Sequence, residues 1–277
     1  MDKIEKIDRS LVQHGKENDR LYLIKMDHTD YPEIITKVDA FSQEKSYGKI
    51  FAKVPTWAVQ AFHQHRFIKE AFIPRFFRGH TGTYFMSKYL KKKRRQTSED
   101  ERQQIAEILR IARAKMQTDP DLPTVNFVFR VLGEYDCEAL AELYQQVFPS
   151  YPFPIFDPDY LIETLRSHVI YFGAFLDDKL IAASSAETDP ASANAEMTDF
   201  ATLPDFRGHK LALHLLQRME EEMQARSFKT LYTIARALSP WMNITFAKNG
   251  YNFGGTLINN THIAGKIESM NVWYKRV

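Results

Sequence analysis

Residues 195–222, AEMTDFATLPDFRGHKLALHLLQRMEEE, constrain what this chain can fold into more than any other stretch. The run opens with strand-like residues, breaks at Leu203, Pro204 and Asp205, and places Arg207, Gly208, His209, Lys210, Leu211 and Ala212 where a helix begins. Leu211, Leu215, Leu216 and Met219 then recur at helical spacing. A strand that feeds a glycine-containing turn and a helix leaves backbone N–H groups unpaired at the helix start. Together with the positive end of the helix dipole, those groups suit a pyrophosphate.

Composition narrows the class of protein. A chain of 277 residues can bury one large core or two modest ones, and 44% hydrophobic with 26% charged residues is ordinary for a globular protein. The net charge of +2 gives no argument for nucleic acid or an anionic membrane as partner. The single cysteine, Cys137, excludes an intrachain disulfide and a cysteine metal framework, which fits a reducing cytoplasm. The N-terminus is charged, and no run of about 18 apolar residues marks a membrane span. No metal is expected: His63 and His65 fall on a helix, where positions two apart point about 200° from each other. The basic run 88–95, KYLKKKRR, precedes a charged helix and reads as a solvated connector.

Periodicity orders the rest. Residues 1–20 read as polar, 20–25 as the first strand, 30–44 as a helix, 49–54 as a strand ended by Pro55, and 56–65 as a helix. Strands at 67–73 and 83–89 and a helix at 98–116 follow, and the polar, proline-bounded segment 117–123 reads as a boundary. The pattern restarts with a strand at 125–132 and a helix at 136–148; three prolines then prevent regular structure over 148–156. A helix at 159–167 and a hairpin at 169–176 and 179–188 lead into the central strand and its helix. Strand 230–235, helix 240–248 and strands 251–258 and 268–274 complete the chain. We divide it into an N-terminal α/β part, 1–96, a linking helix, 97–122, and a C-terminal domain, 123–277. A shift of 184 places Trp57 on Trp241, Phe62 on Phe246, Phe67 on Tyr251 and Met86 on Met270, the mark of a degenerate internal repeat.

The stretch 195–222 resembles the GNAT superfamily of acetyl-CoA-dependent N-acetyltransferases, whose pattern after a strand and a proline-containing turn is Arg/Gln-x-x-Gly-x-Gly/Ala. This chain supplies Arg207, Lys210 in place of the first glycine, and Ala212. Lys210 must then either hold ordinary helical angles or point its ammonium at the phosphates. The element order from 123 onward is also that of GNAT proteins. The resemblance implies a mixed twisted sheet with helices on both faces, the N-terminal part being a degenerate copy of half of it. Acetyl-CoA is the implied cosubstrate, held at positions 207–212 and along Phe200, Ala201 and Thr202, with Asn243 as a contact for the pantetheine arm.

Acetyl transfer to an amine requires its neutral form, and freeing it from an ammonium of pKa near 10.4 at pH 7 costs roughly 4–5 kcal/mol. A carboxylate near the thioester is therefore expected. The central strand offers Glu196 and Asp199, expected on opposite faces because their separation is odd. Glu196 stands where the histone-acetyltransferase branch of the superfamily has its general base. Asp199 is the alternative anchor for a substrate ammonium, and either carboxylate could instead pair with a neighbouring Arg or Lys. Many GNAT enzymes reprotonate the thiolate with a tyrosine whose place is taken here by Phe246. Tyr232, Tyr251 or unaided departure of the thiolate remain.

Segments 20–23, 49–55, 70–74, 84–89 and 268–275 together resemble the bacterial and archaeal β-lysine N-acetyltransferases over nearly the whole chain. That resemblance implies a small-molecule amine acceptor, β-lysine, acetylated at its terminal amine to a solute of use against osmotic stress. Such an acceptor needs an apolar wall, assigned to Tyr151, Phe153 and Phe156, an anion, Asp199 or Glu187, and a cation that the sequence does not identify. The alternatives are a protein or peptide lysine acetyltransferase and a non-catalytic acetyl-CoA-binding sensor.

Overall fold

A computed structural model describes residues 2–116, 127–149, 151, 153–263 and 265–277. Its N-terminal half runs β1 (Lys3–Ile7), β2 (Ser10–Gly15), β3 (Arg20–Lys25), α1 (Ile34–Glu44), β4 (Lys49–Pro55), α2 (Val59–Gln64), β5 (Ile68–Phe77) and β6 (Thr81–Tyr89). Helix α3 (Glu99–Ala114), capped by Ser98, links it to β7 (Val128–Val131), α4 (Cys137–Val147), α5 (Pro158–Ser167), β8 (Val169–Leu176) and β9 (Lys179–Asp189). The chain then passes through β10 (Asn194–Thr202), α6 (Leu211–Ala225), β11 (Thr230–Arg236), α7 (Pro240–Lys248), β12 (Asn252–Ile263) and β13 (Lys266–Arg276). The boundary expected at 117–123 lies outside the described residues. Among the described residues, no helix is long and apolar enough to cross a membrane.

Among the described residues thirteen strands form one sheet, ordered β1-β2-β3-β4-β6-β5-β12-β13-β11-β10-β9-β8-β7. The order is mirrored about the β5/β12 seam. In one half β3 and β4 pair parallel and β4, β6 and β5 antiparallel; in the other β10 and β11 pair parallel and β11, β13 and β12 antiparallel. Each parallel pair is bridged by one helix, α1 or α6, because a crossover connection cannot be made by a tight turn. The 184-residue shift carries β5 onto 252–261, inside β12, and β6 onto 265–273, which starts one residue before β13. The repeat legible in four side chains is thus a repeat of topology.

The seam is narrow, a ladder contact between Gly255 and Ala71. Gly255 has φ +147°, and a Cβ there would lie 2.2 Å from the carbonyl oxygen of Glu70, so only glycine fits. Side chains reinforce it. Buried Lys49 donates to Glu70 at 3.0 Å and to the carbonyl of Ile258 at 2.8 Å, while Glu70 also accepts from Ser87, Tyr89 and the amide of Ile258. Phe51, Ala71, Phe76 and Phe85 of one half share a core with Tyr232, Leu257, Met270 and Val272 of the other.

Two local expectations are corrected. Residues 1–20 contain the hairpin β1–β2, hidden because β1 is a charged, exposed edge strand and β2 buries Gln13 and His14. His14 is satisfied by Tyr47 and Glu5, each at 2.8 Å, and both partners are remote in sequence. In the basic run, Lys91, Lys92, Lys93 and Arg95 are exposed as a connector should be. Arg94 instead turns inward, donating to the carbonyls of Asn259 at 2.8 Å and Asn18 at 2.6 Å.

Candidate active site

The site is built on β10. In register, Glu196 stands beside Glu187 of β9 and Tyr232 of β11, so the three side chains share one face of the sheet. Strands β10 and β11 pair only through Asn194, Ala195 and Glu196 and then part, which frees the β11-facing edge of β10 just beyond Glu196. The ladder to β9 shifts register between Thr198 and Ala201, and Asp199 takes φ +53° in that bulge. The expected opposition of Glu196 and Asp199 therefore fails. The odd-spacing rule holds for a regular strand, and the bulge brings both carboxylates to the same cavity. Asp199 accepts from Ser185 Oγ at 2.5 Å and from the Tyr151 hydroxyl.

That cavity, about 1020 Å³, lies between the two halves. The sheet curves enough for Lys25 at the end of β3 to pair with Asp189 at the end of β9, 3.2 Å apart. Glu187, Glu196, Asp199 and Tyr232 line one side; Arg20, Tyr22, Lys53 and Trp57 line the other. Among the described residues none of the three carboxylates forms an ion pair, so the alternative of a strand carboxylate neutralised by a neighbour is not what the fold adopts.

Burial governs the titration. It raises Glu196 above the usual carboxylate range, against the pull of Lys53 across the cavity and of the Tyr232 hydroxyl bonded to it. Burial, then the charges of Glu196 and Asp199, push Glu187 up to about 8. Asp199 is also raised by burial, opposed by its bonds from Ser185 and Tyr151. Burial and Glu196 push Tyr232 well above the usual phenol value, so it keeps its proton at neutral pH. A raised carboxyl beside a retained phenol provides one group that can take a proton and one that can give it.

The aromatic loop reaches the cavity through some of its side chains and not others. Tyr151 and Phe153 border the cavity together with Phe148 and Ile155. Phe156 does not; it is half-buried and packs against the edge of the C-terminal core, while Ile155 takes the buried, inward position. Asn243 is a second correction. It is fully buried, donates to the carbonyls of Arg236 and Ser239, and accepts from Asn271 and Trp273 Nε1, leaving no capacity for a pantetheine arm. Phe246 packs edge-on against Phe200 and Tyr251. Of the two hydroxyls considered for the leaving thiolate, Tyr232 borders the cavity and Tyr251 is buried away from it.

Past the splay, β10 leads to the turn. Phe200 borders the cavity, the Ala201 side chain is buried and Thr202 is half-buried, so Ala201 can offer only its backbone. Arg207, Gly208, His209 and Lys210 are exposed, Gly208 has φ +92° with open space where a Cβ would stand, and no side chain caps α6. Lys210 is left-handed, φ 58° and ψ 23°, which excludes ordinary helical angles and gives lysine the conformation that suits glycine. Leu211 is buried, so it contributes its N–H alone, and Ala212 follows it in the first turn. Uncapped amides flanked by Arg207 and Lys210 fit a pyrophosphate.

A parallel pair that splays beside a buried carboxylate and ends in an uncapped, cation-flanked helix start defines an acetyl-CoA-dependent N-acetyltransferase. The sequence profile of the Acetyltransferase (GNAT) family matches residues 137–243, and the chain belongs to that family. It is 37% identical to the beta-lysine N(6)-acetyltransferase of Methanococcus maripaludis, over 99% of each chain. It is 32% identical to the N-acetyltransferase YodP of Bacillus subtilis, over 97% of this chain and 96% of that one. A beta-lysine N(6)-acetyltransferase of Methanosarcina mazei is 40% identical over 147 residues, 53% of this chain and 54% of that one.

Sequence reasoning missed Arg20, Tyr22 and Lys53 as site residues. Their only local signal was two basic residues alternating with aromatics on one face of β3 and β4, which reads equally as a solvated strand edge.

Proposed function

We propose that the protein transfers the acetyl group of acetyl-CoA to the terminal amine of β-lysine, giving Nε-acetyl-β-lysine. The observation that carries this reading is the cavity itself, with three unpaired carboxylates on one wall and two cations on the other, in a chain aligned end to end with a β-lysine acetyltransferase. A diamino acid carries charges of both signs, and a pocket that meets each of them is selective for it.

Bound acetyl-CoA supplies the acetyl carbon and leaves as the free thiol. The 207–212 turn holds its pyrophosphate and the free edge of β10 orients its arm. Glu196 accepts the proton of the attacking amine, directly or through a water. Its raised affinity for protons matches it to that task near neutral pH. Glu187 and Asp199 hold the second ammonium, Tyr151 and Phe153 line the methylenes, and Tyr232 is the hydroxyl able to return a proton. The C-terminal part, 123–277, carries the donor chemistry, and the N-terminal part, 1–96, closes the acceptor side. Acetylation removes one positive charge and leaves a solute of zero net charge, suited to accumulation.

Thiol release in steady state tests the reading: kcat/KM should favour β-lysine over α-lysine and over a lysine-containing peptide. Equal use of the peptide would move the protein to the protein-acetyltransferase branch, and absence of turnover with every amine would leave the sensor.

A further inference from the structure

Arg20 is the cation of this fold whose burial has no local explanation. It is 5% exposed, and its guanidinium donates only to neutral groups: the carbonyl of Asn260 at 2.5 Å, Thr261 Oγ1 at 3.0 Å and Gln13 Oε1 at 3.3 Å. Its Nε has no partner, and neither does the buried Oδ1 of Asn260 beside it. The other buried cations differ. Lys49 meets Glu70 at 3.0 Å and Arg94 meets Asp19 at 3.6 Å, whereas Arg20 has no carboxylate at ion-pair distance among the described residues. Lys53 shares that condition. Its Nζ lies 3.3 Å from the hydroxyl of Tyr232 and forms no ion pair with a described carboxylate. Arg20 and Lys53 flank one ring, at 5.3 and 5.7 Å from the centroid of Tyr22, and both border the cavity.

A buried charge without a counter-ion is costly, and a protein that keeps one commonly has the missing charge delivered by a ligand. Burial lowers Arg20 only to about 10, so it remains cationic at neutral pH. Glu196 and Glu187 attract Lys53, and Glu196 attracts Arg20, from across the cavity without an ion pair among the described residues, and the ammonium groups of the acceptor would compete for those carboxylates. The anion that answers Arg20 and Lys53 must therefore come with the acceptor.

We propose that Arg20 and Lys53, from the N-terminal half, form the receptor for the carboxylate of the acceptor. The proposal rests on the β-lysine reading above and names the half of the molecule that recognises the acid end. The substrate spans the cavity with its carboxylate against β3 and β4 and its reacting amine at Glu196 on β10. The mirrored parallel pairs divide the work: β10/β11 serves the donor, and β3/β4 the anion of the acceptor. Moving the second amine from the β to the α carbon changes its distance from that fixed carboxylate, which makes Arg20 and Lys53 the ruler for the β-amino acid.

The test compares three amines with the wild-type enzyme: β-lysine, its primary carboxamide, and 1,4-diaminopentane, which lacks the carboxyl group. We expect kcat/KM to fall at least about 100-fold when the carboxylate is removed or neutralised. Arg20→Gln or Lys53→Met should lower kcat/KM for β-lysine far more than for the carboxamide, so that the preference between the two collapses while acetyl-CoA affinity is kept. Retention of the wild-type preference in both variants overturns the proposal. Equal wild-type use of β-lysine and its carboxamide overturns it without any variant, should Arg20→Gln fail to fold. That result leaves the acceptor assignment standing; no turnover of β-lysine by the wild type sinks the assignment and this proposal together.

Discussion

The two halves of this molecule have the same strand order about the seam and opposite duties. In the C-terminal half the crossover between parallel strands passes through Pro204, Gly208 and a left-handed Lys210 into an uncapped helix, whose free amides suit an anion. In the N-terminal half the equivalent crossover runs from β3 into α1, which starts at Ile34 after Glu33 without the left-handed Gly208 and Lys210 turn. It has instead kept two cations on the inner face of its parallel pair, Arg20 and Lys53, where the C-terminal pair carries Glu196 and Tyr232. One topology can thus hold complementary charges on its two copies, and the cavity is the gap between them.

The comparison breaks most sharply at the seam. Gly255→Ala drives a Cβ into the backbone of Glu70 and Ala71 and should cost about 3–4 kcal/mol. Denaturant unfolding would show it, and where the variant survives, use of the acceptor should suffer more than acetyl-CoA affinity. An unchanged midpoint would mean the halves do not depend on that contact. Next in size is Glu196→Gln, expected to lower kcat roughly 10²-fold, about 2.7 kcal/mol of barrier, with donor affinity near normal. The defect should shrink as pH rises and the amine deprotonates by itself; a pH-independent loss would assign Glu196 to structure.

Arg207→Ala tests the donor end. It should weaken acetyl-CoA binding about tenfold or more by isothermal titration and spare the acceptor KM, since a phosphate contact is lost and the cavity is untouched. The smallest effect concerns Glu187. Its folded value, about 8, lies above its ordinary 4.5, so the native state binds the proton more tightly. Its contribution to stability is present below about 4.5 and is lost as pH rises toward 8. Glu187→Gln should therefore match the wild type near pH 4.5 and gain in melting temperature up to about pH 8. A gain that is constant across that range would show that the carboxyl is not titrating there.

Much of this was legible in the chain. Strands 20–25 and 49–55, the helix start at Pro240 and the 207–212 turn announce themselves through spacing and turn residues, because those signals act within a few residues. The donor end and Glu196 came from the same stretch for the same reason. The β1–β2 hairpin was silent, since an exposed charged edge strand carries no apolar alternation.

What the sequence determined by itself was the order of the elements, the repeat and the turn that starts α6, all features in which neighbours along the chain decide the outcome. The tertiary structure alone decided that Asp199 faces Glu196, because one bulge reverses the alternation that spacing assumes. It decided that Asn243 is an internal hydrogen-bond hub and that Phe156 packs against the core rather than the cavity, since burial depends on what packs from elsewhere. It also brought Arg20 and Lys53 opposite Glu187 and Glu196. No local rule could place them there, because only the curvature of the long sheet turns residues from the two halves of the chain toward one cavity.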